Sequence, residues 1–277
     1  MSAVLYKGIN MIPNFFIFNK EVSAYMIAAM LGVFACIFVT YKLAKRSGSN
    51  EITMLTTMLI ALASSLVGSH LLYGITNMPI IVAVCRDLSV ITSFSVFWTL
   101  VQLIFGGSVY YGGLITGMLG GYIYLRHKKI RIAPYADIGA IGIPLFHFFG
   151  RVGCFLSGCC YGIPWSSGVT YHHALVDSAN GIPRFPVQLV EAVLNLALFI
   201  LLLVLFKKQK AKGKLLALYL IIYPFYRFML EFLRDDGYRG FLFGLSTSQI
   251  ISVLLFVPSV IWLIISCRRK GGDGSAA

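Results

Sequence analysis

"ADIGAIGIPLFHFFGRVGCFLSG", residues 136–158, decides the fold. As a helix rising 1.5 Å per residue, it is long enough to cross the roughly 30 Å of hydrocarbon in a bilayer. Yet its second half holds Arg151, three residues before Cys154. An ionisable side chain inside an apolar span is costly and points to function by default. On a helix, His147, Arg151, Cys154 and Gly158 follow at i, i+4, i+7 and i+11 and form one stripe. The planar fork of arginine donates two parallel hydrogen bonds and suits a phosphate group. An arginine here, joined by one from another helix, is what gripping a phospholipid headgroup requires.

Working outward, six further apolar runs lie at about 22–41, 53–76, 107–125, 187–206, 215–233 and 248–266. The 277 residues are 58% hydrophobic and 12% charged, against about 25% charged in an ordinary soluble domain. These features predict one all-α polytopic membrane domain over 1–277, with seven transmembrane helices, ending in a flexible cytoplasmic tail at 267–277. The net charge of +13 does not signal nucleic-acid binding, because of where it sits. Lys42, Lys45 and Arg46 follow the first run, and Arg126, Lys128, Lys129 and Arg131 the third. Lys207, Lys208, Lys210, Lys212 and Lys214 follow the fifth, and Arg268, Arg269 and Lys270 the seventh. Basic residues concentrate in cytoplasmic loops, so the N-terminus is expected outside and the C-terminus in the cytoplasm. The same loops suit anionic membrane lipids. The N-terminus lacks the order of a signal peptide, so the first run is expected to be retained. Residues 77–106 read as an amphipathic, partly re-entrant outer arm, and 159–186 as an outer loop rich in Gly, Ser and His.

Three further clusters carry chemistry. In "YRFMLEFLRDD" (226–236), Arg227, Glu231 and Arg234 share one helical face. An internal ion pair accounts for Arg227 with Glu231; phosphate binding is the other reading for both arginines. In "GGSVYYGGLITGMLGGY" (106–122), Gly113, Gly117 and Gly121 have the spacing of close helix packing. Gly112 and Gly113 also open a helix, where free N–H groups suit an anion. Cys154, Cys159 and Cys160 cluster in sequence, but no standard metal-ligand spacing is present. Packing thiols or a disulfide explain them more simply, and neither metal nor cofactor is expected.

Four segments together resemble the prolipoprotein diacylglyceryl transferase family, in its order. "GRVGCFLSGCCYG" resembles the family's Gly-Arg-x-Gly-Asn-Phe-x-Asn-Gly signature, in a variant form. "YYGGLITG" resembles its His-Gly-Gly-Leu segment, and "FPVQLVEAVLN" its Pro-x-Gln-Leu-Tyr-Glu stretch. "YRFMLEFLRDD" with "GLSTSQIIS" resembles its Arg-Phe-x-x-Glu-Phe-x-Arg segment and Gly-Gln-x-x-Ser close. The resemblance implies a multi-pass enzyme of the bacterial cytoplasmic membrane, with its active site at the outer leaflet. It implies transfer of the diacylglyceryl group of phosphatidylglycerol to the lipobox cysteine thiol of a prolipoprotein signal peptide, releasing glycerol 1-phosphate. Carried over by position, Arg151 and Arg227 hold the phosphate, Glu231 orients an arginine, Arg234 guards the outer rim and Glu191 lines the cavity. Tyr25 matches a family tyrosine of the first helix, and Gly112 and Gly113 match the family's glycine pair.

The departures concern the acceptor side. Tyr111 replaces the histidine before Gly-Gly, Cys154 and Ser157 replace the two signature asparagines, and Cys159 replaces an acidic residue. Tyrosine is a weaker base than histidine at neutral pH. Two alternatives follow: the same scaffold using phosphatidylglycerol with a different surface acceptor, or a phospholipid-binding or transport protein without chemistry.

Overall fold

The structure, a computed structural model, describes residues 9–10, 13–17, 20–235, 241–242 and 244–272. Its helices are α1 (Ala24–Arg46), α2 (Glu51–Thr76), α3 (Met78–Arg86), α4 (Phe94–Phe105), α5 (Tyr110–His127), α6 (Ile132–Ser157), α7 (Val187–Lys207), α8 (Leu215–Glu231) and α9 (Thr247–Gly272). Five of them, α1, α2, α6, α7 and α9, are long and apolar enough to cross a membrane. The other two expected spans are helical but short: α5 has 18 residues and α8 has 17, where a perpendicular crossing takes about 20.

The described residues fall into two compact units. One joins the chain up to Leu43 with Ala136 onward; the other is Ala44–Tyr135. In the latter, Asn50 caps α2, its side chain accepting from the Thr53 N–H at 2.8 Å, and Glu51 lies in the first turn. Both suit the positive end of a helix. Helices α2 and α5 pack through small residues. A Cβ on Gly113 would stand 2.7 Å from Ser65 Oγ, and one on Gly117 would stand 3.1 Å from the Ala61 carbonyl. Gly112 faces the Gly68 carbonyl just as closely, and Thr116 donates across the seam to the Ser64 carbonyl at 2.8 Å. The glycine pair at the start of α5 therefore has a packing task, which extends the one expected for Gly117 and Gly121. Residues 77–106, expected as an amphipathic arm, form α3, a short 3-10 turn and α4. Leu88, Phe94 and Trp98 are among the large apolar side chains they expose.

In the first unit, α1 and α6 approach through Gly32, Gly142 and Gly153, where added Cβ atoms would meet Phe149, Cys36 and Ala28. Asp137, on the first turns of α6, accepts from the backbone N–H groups of Gly213 (2.5 Å) and Leu215 (2.9 Å). It thereby caps the start of α8 from a distant part of the chain. Helix α6 ends where its sequence turns to Ser-Gly-Cys. Gly158 adopts φ +66, its N–H reaches the Phe155 carbonyl, and the Cys159 N–H reaches the Cys154 carbonyl at 3.1 Å. That pair of bonds is a Schellman cap, and it needs a residue that tolerates left-handed backbone.

The all-α expectation is corrected by strands next to the spans. Among the described residues, β4 (Pro164–His172) pairs antiparallel with β5 (Pro183–Arg184) and parallel with β1 (Ile9–Asn10). Two hairpins accompany it: β2 (Asn14–Ile17) with β3 (Lys20–Ser23), and β6 (Phe241–Leu242) with β7 (Leu245–Ser246). The outer loop read at 159–186 thus contains a pleated ribbon. "VTYH" supplies β-branched and aromatic residues, and Gly168 lets the Arg184 backbone close against β4. The expected tail from 267 is helical through Gly272, and 273–277 lie outside the described residues.

Asp137→Ala should strip the α8 cap and lower stability by about 1–2 kcal/mol, read as a lower melting temperature in detergent. Asp137→Asn should recover part of the loss, because an amide oxygen still accepts.

Candidate active site

The site is built on three helices of the first unit. Glu191 lies on the second turn of α7, buried to 1% exposure. Arg151 of α6 places Nη2 3.0 Å from Glu191 Oε1, and Arg227 of α8 places Nε 4.0 Å from the same oxygen. Arg227 also holds Glu231, one turn on, with Nη1 2.7 Å from Oε2. Its Nη2 donates to Ser248 Oγ on α9 at 3.1 Å. Arg234, just past α8, is close enough to act electrostatically on Glu191. Arg151 and Arg227 thus share the buried Glu191, Arg227 also holds Glu231, and Arg234 lies beside them in a region walled by apolar helices. Burying such charge is tolerable only with dense pairing, and guanidinium forks gathered at one place suit an anionic ligand such as a phosphate.

Each partner sits where the helix period puts it. Gln188, Glu191 and Asn195 occupy i, i+3 and i+7 of α7, forming a polar stripe on an otherwise apolar helix. Gln188 donates to the Cys159 carbonyl at 2.8 Å and accepts from the Tyr171 hydroxyl at 3.2 Å. Burial raises the pKa of Tyr171, so the ring remains a neutral donor there. Asn195 donates to the Glu191 carbonyl at 2.8 Å and accepts from the Tyr226 hydroxyl at 2.9 Å. His147, one turn before Arg151, is buried with its ring 4.9 Å from that of Tyr223.

Of the sequence-predicted residues, the structure brings Arg151, Glu191, Arg227 and Glu231 into one ion-pair chain, with Arg234 beside it. Tyr25, at the start of α1, borders α6 at Gly153, next to Cys154. Cys154 is buried. Ser157 is buried too, and its carbonyl accepts the Leu175 N–H at 2.9 Å. Tyr111, Gly112 and Gly113 belong to the other unit, at the first turn of α5. Gln188, Asn195, Tyr226 and Ser248 were not singled out from sequence. The stripe through Glu191 in "FPVQLVEAVLN" was the available signal for the first two; Ser248 carries none of its own.

The rim is held by Arg184 of β5. It donates to Asp235 Oδ2 at 2.6 Å, to the Ser178 carbonyl at 2.8 Å and to the Gly162 carbonyl at 3.2 Å. It also stacks 4.3 Å from the centre of the Tyr161 ring. Gly162 bridges antiparallel to Arg234, so the ribbon and the end of α8 are tied together beside the arginines.

Replacing Glu191 with Gln should cost about 3–5 kcal/mol, the effect of leaving buried charge without its partner. The measurement is thermal melting in detergent; an unchanged melting temperature would mean that Arg151 and Arg227 do not depend on this carboxylate.

The family model described as "Prolipoprotein diacylglyceryl transferase" matches residues 13–265. A Clostridium perfringens protein named phosphatidylglycerol–prolipoprotein diacylglyceryl transferase 2 is 33% identical over 247 residues, covering 88% of this chain and 91% of that protein. Phosphatidylglycerol–prolipoprotein diacylglyceryl transferases of Clostridium tetani and Clostridioides difficile are each 30% identical. They cover 92% and 89% of this chain, and 98% and 92% of their own lengths.

Proposed function

The chain belongs to the prolipoprotein diacylglyceryl transferase family, and on that premise we propose that it transfers the diacylglyceryl group of phosphatidylglycerol to the lipobox cysteine of a prolipoprotein signal peptide. The observation that carries this reading is the convergence of Arg151 and Arg227 on the buried Glu191, with Arg234 beside them. Seven spans, an outside N-terminus and a site at the outer leaflet of the bacterial cytoplasmic membrane complete it. In this topology α5 and α8 cross as the two shortest spans, and the whole chain acts as one transferase domain. The alternation of basic loops along the chain supports the topology.

Arg151 and Arg227 bind the phosphate, with Arg234 at the rim. Glu191 and Glu231 hold the guanidiniums in place, so that no reorganisation is needed when charge develops. The acceptor sulfur forms a bond to the glycerol carbon, the carbon–oxygen bond to phosphate breaks, and glycerol 1-phosphate leaves with the electron pair. The thiol proton goes to a base. Tyr111, at the family's histidine position, is assigned that role on the sequence match. Gly112, Gly113, Tyr25, Cys154 and Ser157 are assigned to substrate contact on the same ground.

Lysine keeps the charge but loses the bidentate fork. Arg151→Lys and Arg227→Lys should therefore slow turnover by an amount worth roughly 2–4 kcal/mol. The readout is glycerol phosphate released per folded molecule. Near-normal release by well-folded lysine variants would sink the clamp and favour arginines that only hold helices together. Binding of phosphatidylglycerol without any release by the unaltered protein would instead favour a lipid carrier. Tyr111→His should keep or raise transfer at neutral pH, and Tyr111→Phe should abolish it. A fused C-terminal reporter should be active only in the cytoplasm; activity outside would overturn the topology.

A further inference from the structure

The cap that ends α6 does more than stop a helix. It folds Cys159 back onto the last turn, where the Cys159 N–H and Sγ both approach the Cys154 carbonyl, at 3.1 and 3.6 Å. Cys160 then takes φ +60, uncommon for a residue other than glycine. The result is that the three sulfurs of Cys154, Cys159 and Cys160 all lie within 4.8 Å of one another. Cys154 is buried, and the other two are partly exposed. Three thiols converge, with an open side toward the surface.

We propose that Cys154, Cys159 and Cys160 form a binding site for one soft monovalent cation of the Cu+ type. With metal–sulfur bonds of roughly 2.3 Å, a trigonal set of sulfurs has edges of about 4 Å, so the cluster needs only a sub-ångström contraction. Thiolates select Cu+ and Zn2+ among common cations. Zinc is nearly always four-coordinate, whereas the grouped ligands among the described residues are three, all sulfur. Zn2+ on three sulfurs would still need a water as its fourth ligand, whereas Cu+ is satisfied by a soft all-sulfur set of three, which favours Cu+. On binding, three thiols release three protons to water, three copper–sulfur bonds form and no electron moves. The three thiolates and Cu+ carry two net negative charges, and Arg151 and Arg234 both act electrostatically on Cys160. Guanidinium charge beside the sulfurs makes a trithiolate tolerable. The site stands on the geometry of the three sulfurs and not on the transferase reading, which separately assigns Cys154 to substrate contact.

The test uses the full chain, purified in detergent, reduced and handled without oxygen, and titrated with Cu+ against bicinchoninate. One Cu+ per chain is expected to leave the chelator. X-ray absorption should show sulfur neighbours only, at a single short distance. Cys154→Ser, Cys159→Ser and Cys160→Ser should each weaken binding by roughly a hundredfold, at or beyond what losing an outer-shell partner costs. Cys36→Ser and the Cys85→Ser, Cys267→Ser pair should leave it unchanged. Should a serine variant fail to fold, the absorption spectrum of the unaltered protein decides. Copper that stays with the chelator, nitrogen or oxygen neighbours in the spectrum, or uptake of Zn2+ alone would overturn the assignment. None of these measurements involves transfer activity, so their outcome is separate from that of the lysine variants.

Discussion

Glu191 is a carboxylate buried among apolar helices, and the first unit is arranged to make it tolerable. Two guanidiniums reach one of its oxygens from different helices, α6 and α8. A lone charge in such surroundings costs several kcal/mol even after relaxation. The pairing therefore constrains where α6, α7 and α8 stand relative to one another at this depth. It also preorganises the arginines. A guanidinium already held by a carboxylate keeps its remaining N–H groups pointing one way, which is what electrostatic stabilisation of a leaving phosphate requires. Stability and chemistry thus draw on the same ion pairs, and this is why replacing an arginine by lysine tests one apart from the other.

Around this centre the polar contacts are layered. Gln188 and Asn195 flank Glu191 on α7 and tie it to the backbone at Cys159 and to the Tyr226 hydroxyl. Arg184 pins the ribbon to Asp235 and the loop carbonyls. Arg184 is thus a structural clasp, its charge spent on Asp235 and on carbonyl groups. Asp137 plays a similar part at the opposite end of α6, capping α8. In the other unit, packing replaces charge: α2 and α5 meet through glycine, serine and alanine, as helices do when lipid removes the hydrophobic drive for association.

How far the sequence could be read follows from period and cost. An apolar run long enough to span, an arginine in its middle and basic residues after alternate runs are one-dimensional signals, and each has a physical price attached when misplaced. They yielded a helical membrane protein with Arg151 and the Arg227–Glu231 pair as its costly charges; the family, and Glu191 with it, came from the resemblance of four motifs. The strands of 159–186 were not legible, because short ribbons with glycine and serine lack a run long enough to show a period.

The tertiary structure decided which charges share a partner. Nothing in the order of residues says that Arg184 spends its charge on Asp235 while Arg151 and Arg227 share Glu191. That depends on which helix faces meet, and those contacts join residues tens of positions apart. It also decided the fate of the cysteines. Their spacing fits no metal motif, yet a left-handed glycine and a left-handed Cys160 fold them together. Sequence determined the solvent, the helices and the charges that could not be left alone; the fold alone determined their pairing, because an ion pair or a thiol cluster is set by distance in space.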